Sequence, residues 1–315
     1  MGQISEKFSE ETIHKMKQFY EEVIESPPQG AIFRARTNNA VITGYKSGKV
    51  LFQGANPEVE FERWSERKEI TNDQRDARNV FSVKNDPTYM PPESLFDNNH
   101  IGSDESGTGD YFGPITTCTV FVTKQQIPWL REIGIQDSKA ITDERVKELA
   151  KTLIAAELPY SLMVLRNERY NELQRRGWSQ GKMKAMLHHA VIEKLMERVD
   201  RANVNGIIID QFCNPDVYIK HIATEGKSLF DKTFFMTKAE SYSIAVAAAS
   251  IIARASFLNE MDHLSQIAGV ELLKGASNEV DRVAAKVIRS KGETMLQKIA
   301  KVHFANTKKA KNYLK

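Results

Sequence analysis

The short apolar-led run His100-Ile101-Gly102-Ser103 ends in two adjacent carboxylates, Asp104 and Glu105, and the glycine turn Ser106-Gly107-Thr108-Gly109-Asp110 follows at once. Neighbouring acids on an extended segment repel each other. A strand that enters a core carries such a pair where positive charge awaits it. Glycines directly behind the pair let backbone come close to a ligand. A second apolar run, Gly206 to Ile209, ends in Asp210, and Ala239-Glu240 opens an alanine-rich helix. Four carboxylates, each at the end of a regular element, are the raw material of a divalent-cation site. Oxygen donors with no Cys or His in ligand spacing favour Mg²⁺, with Mn²⁺ as the alternative, over zinc.

Each of these residues also has a plainer reading. A single Asp at a strand end commonly caps a helix or faces water. Glu240 in a first helical turn is favoured by the helix dipole without any metal. The metal reading therefore rests on all four acids reaching one edge of a mixed sheet. Gly107, Thr108 and Gly109 form either a tight hairpin or a stretch of exposed backbone beside the ions. Asp137-Ser138-Lys139 precedes a helix, so Ser138 and Lys139 either cap it or hold a phosphate. Lys182 and Lys184, early in the next helix, belong to a solvated face or contact phosphate.

A length of 315 residues suggests two domains, and 41% hydrophobic with 27% charged residues is ordinary for a soluble globular chain. The net charge of +3 is only a weak pointer to a polyanion. The tail is more basic: Lys301, Lys308, Lys309, Lys311 and Lys315 occur with no acid between them, either touching phosphate or lying in water. Cys118 and Cys213 stand far apart, which argues against a disulfide framework and fits a reducing, cytoplasmic setting. No signal peptide is visible, and the apolar stretch Ile244 to Ala253 is too short to span a bilayer, so it reads as a buried helix and no membrane partner is expected.

Hydrophobic spacing predicts a helix over 10–26, ended by Pro27-Pro28, then strands over 31–36, 40–45 and 49–53 and a helix over 57–67. Residues 68–99 are polar and broken by Pro87, Pro91 and Pro92, which reads as a linker between a domain at 1–67 and a domain at 100–315. Beyond it, strands are expected at 100–105, 115–123, 160–166, 206–210 and 233–237. Helices are expected at 142–158 with Thr142 as N-cap, 180–201, 215–222, 241–264, 280–290 and 293–302. Antiparallel strands followed by alternating helix and strand imply an α/β mixed sheet flanked by helices.

The string Asp104-Glu105-Ser106-Gly107-Thr108-Gly109-Asp110-Tyr111-Phe112-Gly113-Pro114 resembles the opening motif of the bacterial ribonuclease HIII family, a type 2 ribonuclease H. Asp137-Ser138-Lys139, Lys182-Met183-Lys184-Ala185, Ile208-Ile209-Asp210-Gln211-Phe212 and Lys238-Ala239-Glu240 follow in the same order. So do the run Ala247 to Arg254 and His303-Phe304-Ala305-Asn306-Thr307. The N-terminal module, best at Ser47 to Gly54, resembles the TATA-binding-protein-like domain of that family. The resemblance implies a ribonuclease H-like fold that hydrolyses the RNA strand of RNA–DNA hybrids; a monomer is expected. Asp104, Glu105, Asp210 and Glu240 would hold two Mg²⁺ ions, with Asp104 shared, and the products would carry 5′-phosphate and 3′-hydroxyl ends. The backbone of Gly107 to Gly109 would read the 2′-hydroxyl. Three positions depart from the family pattern: Ser106 for a small apolar residue, Leu273 for proline, and His189 for asparagine. A DNA nuclease on the same fold is the rival among enzymes, and the glycine turn argues against it. A hybrid-binding protein without turnover is the rival outside enzymes, but clustered acids gain a pure binder nothing against phosphates.

Overall fold

The computed structural model describes residues 2–64 other than 29, 38, 55, 56, 58, 59, 62 and 63, and then 87–135 and 141–314. The chain divides into two compact units, Met1–Asn79 and Val80–Lys315. In the first, strands β1 (Gly2–Lys7), β2 (Ile24–Glu25), β3 (Ala31–Arg36), β4 (Ala40–Tyr45) and β5 (Lys49–Gly54) form an antiparallel sheet in the order β1-β5-β4-β3-β2. Helix α1 (Glu10–Phe19) begins where the Ser9 hydroxyl accepts the Thr12 N–H at 3.1 Å. It buries Ile13 and Met16 against Phe33, Ile42 and Phe52. The helix is shorter than predicted, and residues 21–25 turn into β2 instead. β1 was not expected, because its sequence GQISEK shows no hydrophobic alternation. Of the predicted helix at 57–67, Pro57, Glu60, Phe61 and Trp64 are helical and the other members lie outside the described residues. The Trp64 indole donates to the Tyr20 hydroxyl at 2.9 Å, which donates to buried Glu60 at 2.8 Å.

The second unit is built on β6 (His100–Ser106), β7 (Ile115–Val122), β8 (Tyr160–Leu165), β9 (Ile207–Asp210) and β10 (Thr233–Met236), ordered β10-β9-β6-β7-β8. β6, β9 and β10 run parallel, and β7 is antiparallel to both its neighbours. Helices α2 (Ile127–Glu132), α3 (Asp143–Ala155), α4 (Asn167–Arg175), α5 (Gln180–Met196), α6 (Pro215–Ala223), α7 (Ile244–Ala268), α8 (Asn278–Lys291), α9 (Leu296–Ile299) and α10 (Ala305–Asn312) complete it. Thr142 caps α3 as expected, accepting the Arg145 N–H. α2, α4 and α10 were not predicted, and the helix expected at 293–302 is a 3-10 turn followed by α9.

Strand alternation divides the core. Cys118, Val120 and Val122 of β7 face α3 and α7, whereas Phe121 joins Ile101 of β6 and Ala185 and Ile192 of α5. Helix α7 lies almost directly on β6: a Cβ added at Gly102 would sit 2.1 Å from the Val246 amide nitrogen. Small residues on the helix match this closeness, since Ala245, Ala247, Ala248 and Ala249 are fully buried. Residues 87–99, read as linker, are instead part of this unit. They form 3-10 turns at Pro87–Tyr89 and Glu93–Asp97, with Tyr89 edge-on to Phe235 and Leu95 buried against Ile208. The rest of the predicted linker lies outside the described residues.

Candidate active site

The register of β6 and β9 places the first acids. Ser103 stands beside Ile209 in parallel pairing, so Asp104 and Asp210 emerge together at the carboxyl ends of two adjacent strands. That edge of an open α/β sheet is where ligands bind. They line a cleft of about 470 Å³ with Glu105, the turn Ser106 to Asp110, Ser250, Arg254, Phe257, Leu258 and Lys274.

Because a strand alternates, Asp104 and Glu105 turn to opposite faces of the sheet. Asp104 points to α7, where it meets the Ser250 hydroxyl, and its Oδ1 accepts the Glu105 N–H at 2.7 Å. Burial raises its carboxyl well above the usual carboxylate range, and the charges of Asp210 and Glu105 raise it further. Glu105 points to α5, where Lys184 Nζ lies 2.7 Å from Oε1 and His188 Nε2 lies 2.8 Å from Oε2. Burial would raise this carboxyl, but the Lys184 ammonium and His188 outweigh it and hold the group at about 2. Ser103 completes the arrangement. Its hydroxyl donates to the Cys118 carbonyl at 3.1 Å and lies 2.7 Å from His188 Nδ1. His188 thus bridges Ser103 and Glu105 through its two ring nitrogens. Phe212 closes the group, stacked on His188 at 5.3 Å with Lys184 Nζ 3.9 Å from its ring centre.

Asp210 Oδ1 accepts the Ala239 N–H at 2.9 Å. The next residue, Glu240, is buried in a 3-10 turn, Ala239–Ser241, entered through Lys238 at φ +56°. It therefore does not open the alanine-rich helix, which begins at Ile244, and the first-turn dipole explanation for this acid falls away. Glu240 is not among the residues lining the cleft.

Gly107 and Gly109 differ in kind. Gly107 has φ +87°, and a Cβ there would meet the Pro114 carbonyl at 2.2 Å, so the turn itself requires glycine. At Gly109 a Cβ would meet no atom within 4 Å. The fold makes no demand for glycine there, and that face of the turn is open. The Thr108 carbonyl accepts from Gln180 Nε2 at 3.1 Å.

The lysines are placed differently from the expectation of a solvated or phosphate-binding face. Lys182 is paired with Glu225 at 2.5 Å, lies over the Trp178 ring and is not on the cleft wall. Lys184 is turned inward to Glu105, because the i to i+4 spacing from Lys184 to His188 aims both at one carboxylate. Ser138 and Lys139 lie outside the described residues. Among the cations on the cleft wall are two to which sequence reasoning gave no role, Arg254 and Lys274. Both are paired with Asp143 at the start of α3, Arg254 at 2.7 Å. The two pairs hold the Asp143 carboxyl below the ordinary range despite its partial burial. His189 packs on Phe230 at 4.9 Å, a core position.

Among the described residues, no three His, Cys, Asp or Glu side chains form a closed metal-ligand cluster. The donor chemistry nonetheless fits a hard divalent cation. Asp104, Glu105 and Asp210 present only oxygen to one cleft, and their mutual repulsion is what raises Asp104 beyond the effect of burial.

Comparison with known proteins gives a consistent result. Residues 101–307 match the family model of ribonuclease HII, and residues 3–77 match a domain of unknown function. The chain is 54% identical over 306 residues to ribonuclease HIII of Oceanobacillus iheyensis, with 97% of each chain covered. It is 46% identical to ribonuclease HIII of Bacillus subtilis, covering 96% of this chain and 95% of the other. Among solved structures, Bst-RNase HIII in complex with Mn²⁺ aligns with a TM-score of 0.69 at 38% identity, covering 100% of this chain and 99% of that one.

Proposed function

This chain belongs to the ribonuclease HII family and, within it, to the ribonuclease HIII type; it is a ribonuclease H, and we propose that it cuts the RNA strand of RNA–DNA hybrids internally, leaving 5′-phosphate and 3′-hydroxyl ends. The observation that carries this reading is the cleft itself. Asp104, Glu105 and Asp210 line it together with the open glycine turn and with Arg254 and Lys274. Acids alone would repel a nucleic acid, and cations alone would only bind one. The combination suits a phosphodiester held at its flanking phosphates and brought to a metal-binding floor.

Asp104, Glu105, Asp210 and Glu240 would hold two divalent cations, Mg²⁺ or Mn²⁺, which supply Lewis-acid activation of water and charge stabilisation at the departing 3′-oxygen. The remaining roles belong to the chain. Lys184 and His188 keep Glu105 ionised and fix its direction. The Ala239 N–H fixes Asp210, and Glu240 is the next residue along that turn. The open backbone at Gly109 leaves room for a ribose edge, where a 2′-hydroxyl distinguishes RNA from DNA. Arg254 and Lys274, aimed by Asp143, supply positive charge for phosphates.

The deciding experiment incubates the full chain with a matched hybrid, a DNA duplex and an RNA duplex, with and without divalent cation. Cation-dependent cleavage of the hybrid alone is the expected result. Cleavage of the DNA duplex at a similar rate would point to the DNA-directed reading instead, and binding without turnover would refute the enzymatic one.

A further inference from the structure

The basic tail identified in the sequence has one member that is neither solvated nor near its surface. Lys301 is fully buried. Its Nζ donates to the Asp110 carbonyl at 2.8 Å and to the Gly113 carbonyl at 2.6 Å, and its backbone N–H donates to the Tyr111 carbonyl at 2.8 Å. One residue therefore holds three carbonyls of the segment that follows the glycine turn. The chain just before it continues the attachment, since Phe112 pairs with Ala300 and the Gly113 N–H donates to the Ile299 carbonyl at 2.9 Å. Two further side chains prop the same segment. Asn167 Nδ2 donates to the Gly113 carbonyl at 2.8 Å, and Gln180 Nε2 donates to the Thr108 carbonyl at 3.1 Å.

These contacts all approach from the protein side. On the other side the turn is open at Gly109. Burial pushes the Lys301 ammonium down to about 7, offset only in part by the charge of Asp110. A buried ammonium is unfavourable to the fold wherever free lysine would be protonated. Its hydrogen bonds fix the position of the Asp110 and Gly113 carbonyls. We infer that Lys301 is a positioning residue that fixes the backbone of residues 107–113 in the shape that meets the ribose 2′-hydroxyls of a hybrid. The proposal rests on the hybrid-cleaving reading above.

The test uses the full chain as wild type, Lys301→Met and Gln180→Ala. Methionine keeps an unbranched chain of similar length and removes the donors. Gln180 is only half-buried, so its truncation removes a prop from the same turn without opening the core. Equilibrium binding to a hybrid and to a DNA duplex of the same sequence is measured in EDTA, where no cleavage occurs. Melting temperature and, with cation present, kcat and KM are measured alongside. The expected Lys301→Met protein melts cooperatively within a few degrees of wild type, binds the hybrid about tenfold more weakly as for one lost contact, and binds the DNA duplex as before. Its KM for hybrid rises. Gln180→Ala shifts the hybrid-to-duplex ratio the same way by a smaller factor. A folded Lys301→Met protein with wild-type hybrid preference overturns the role, as does an equal loss on both ligands. Should Lys301→Met fail to fold, an unchanged preference in Gln180→Ala overturns it, and a lowered preference supports it. Absence of any hybrid preference in the wild type overturns the substrate reading and the proposal with it, which separates the two failures.

Discussion

Asp104 should cost the metal-free protein stability, and replacing it should reveal how much. The change is Asp104→Asn. Asparagine keeps an oxygen where Oδ1 accepts the Glu105 N–H at 2.7 Å, so the local backbone need not move. What it removes is a carboxyl that burial, Asp210 and Glu105 together push well above its usual value of 3.8. The sign follows from linkage. In the unfolded chain this group loses its proton near 3.8, whereas in the folded chain it keeps it to higher pH. Wild-type stability therefore falls as pH rises above that value, by about 1.4 kcal/mol per pH unit for as long as the folded carboxyl stays protonated. From 3.8 to pH 7 this sets a ceiling of about 4 kcal/mol. At about 2–4 °C per kcal/mol for a unit of this size, Asp104→Asn should melt above wild type at pH 7 in EDTA, by at most roughly 8–16 °C.

The assay is thermal unfolding of both proteins at several pH values between 4 and 7, in EDTA and again with Mg²⁺ or Mn²⁺. In EDTA the advantage of the variant should widen as pH rises. With cation at about 100 times its dissociation constant, the wild type should gain about 2.7 kcal/mol and the variant little, closing or reversing the gap. Cleavage should be lost in the variant while hybrid binding persists, because the proposed phosphate contacts, Arg254 and Lys274, are not touched. A variant no more stable than wild type in EDTA, or an advantage that narrows with rising pH, would show that the floor of the cleft is not under the electrostatic load described. An unchanged cation-induced shift would remove Asp104 from the metal site.

Other consequences are tested separately. Lys184→Met leaves Glu105 buried with His188 alone and should destabilise the protein by about 1–3 kcal/mol in urea at pH 7. The depressed Glu105 carboxyl contributes above about pH 4.5 and loses that contribution as pH falls toward 2, so the difference should shrink in acid; a gap independent of pH would contradict the pairing. A fragment 80–315 should fold and keep hybrid cleavage with weaker hybrid binding than the full chain, while one starting at Asn98 should unfold at lower urea for want of Tyr89 and Leu95; equal affinity of fragment 80–315 and the full chain would deny the first unit a binding role. A run of four ribonucleotides in DNA should be cut faster than a single one, because Thr108 lacks the charge-assisted reach of the arginine found between the two glycines in type 2 enzymes that cut at a lone ribonucleotide; equal rates would clear Thr108 of setting the preference.

The floor of the site was legible because strand ends are legible. Asp104 and Asp210 each close an apolar run, and parallel pairing of two such runs brings their ends together whatever the connections between them. Glu240 was legible as an acid but not as a turn residue. The alanine-rich helix after it looks continuous in sequence, and only the left-handed Lys238 and the Ser243 cap show where it starts. The packing of α7 on β6 depends on Gly102, a glycine whose meaning appears only when a helix lies across it. β1 was invisible because an edge strand in this sheet buries little: its only large apolar side chain is Ile4.

The lysines show a deeper limit. Lys184 and Lys301 look in sequence like any lysine on a helix or a tail, since composition carries the charge but not its direction. Lys184 is turned inward by the one spacing that was readable, the i to i+4 step to His188, and the meaning of that step depends on Glu105 lying on the face of β6 opposite Asp104. Lys301 is turned inward by carbonyls from residues nearly 190 positions earlier in the chain. Adjacent acids on a strand cannot share one face, so the second of them requires a partner of its own. The initial expectation that positive charge awaits the pair was therefore sound for Glu105, whose cations are side chains. For Asp104 no cationic side chain is paired with it among the described residues, and burial beside Asp210 and Glu105 makes a divalent cation a fitting source of the charge that would offset it.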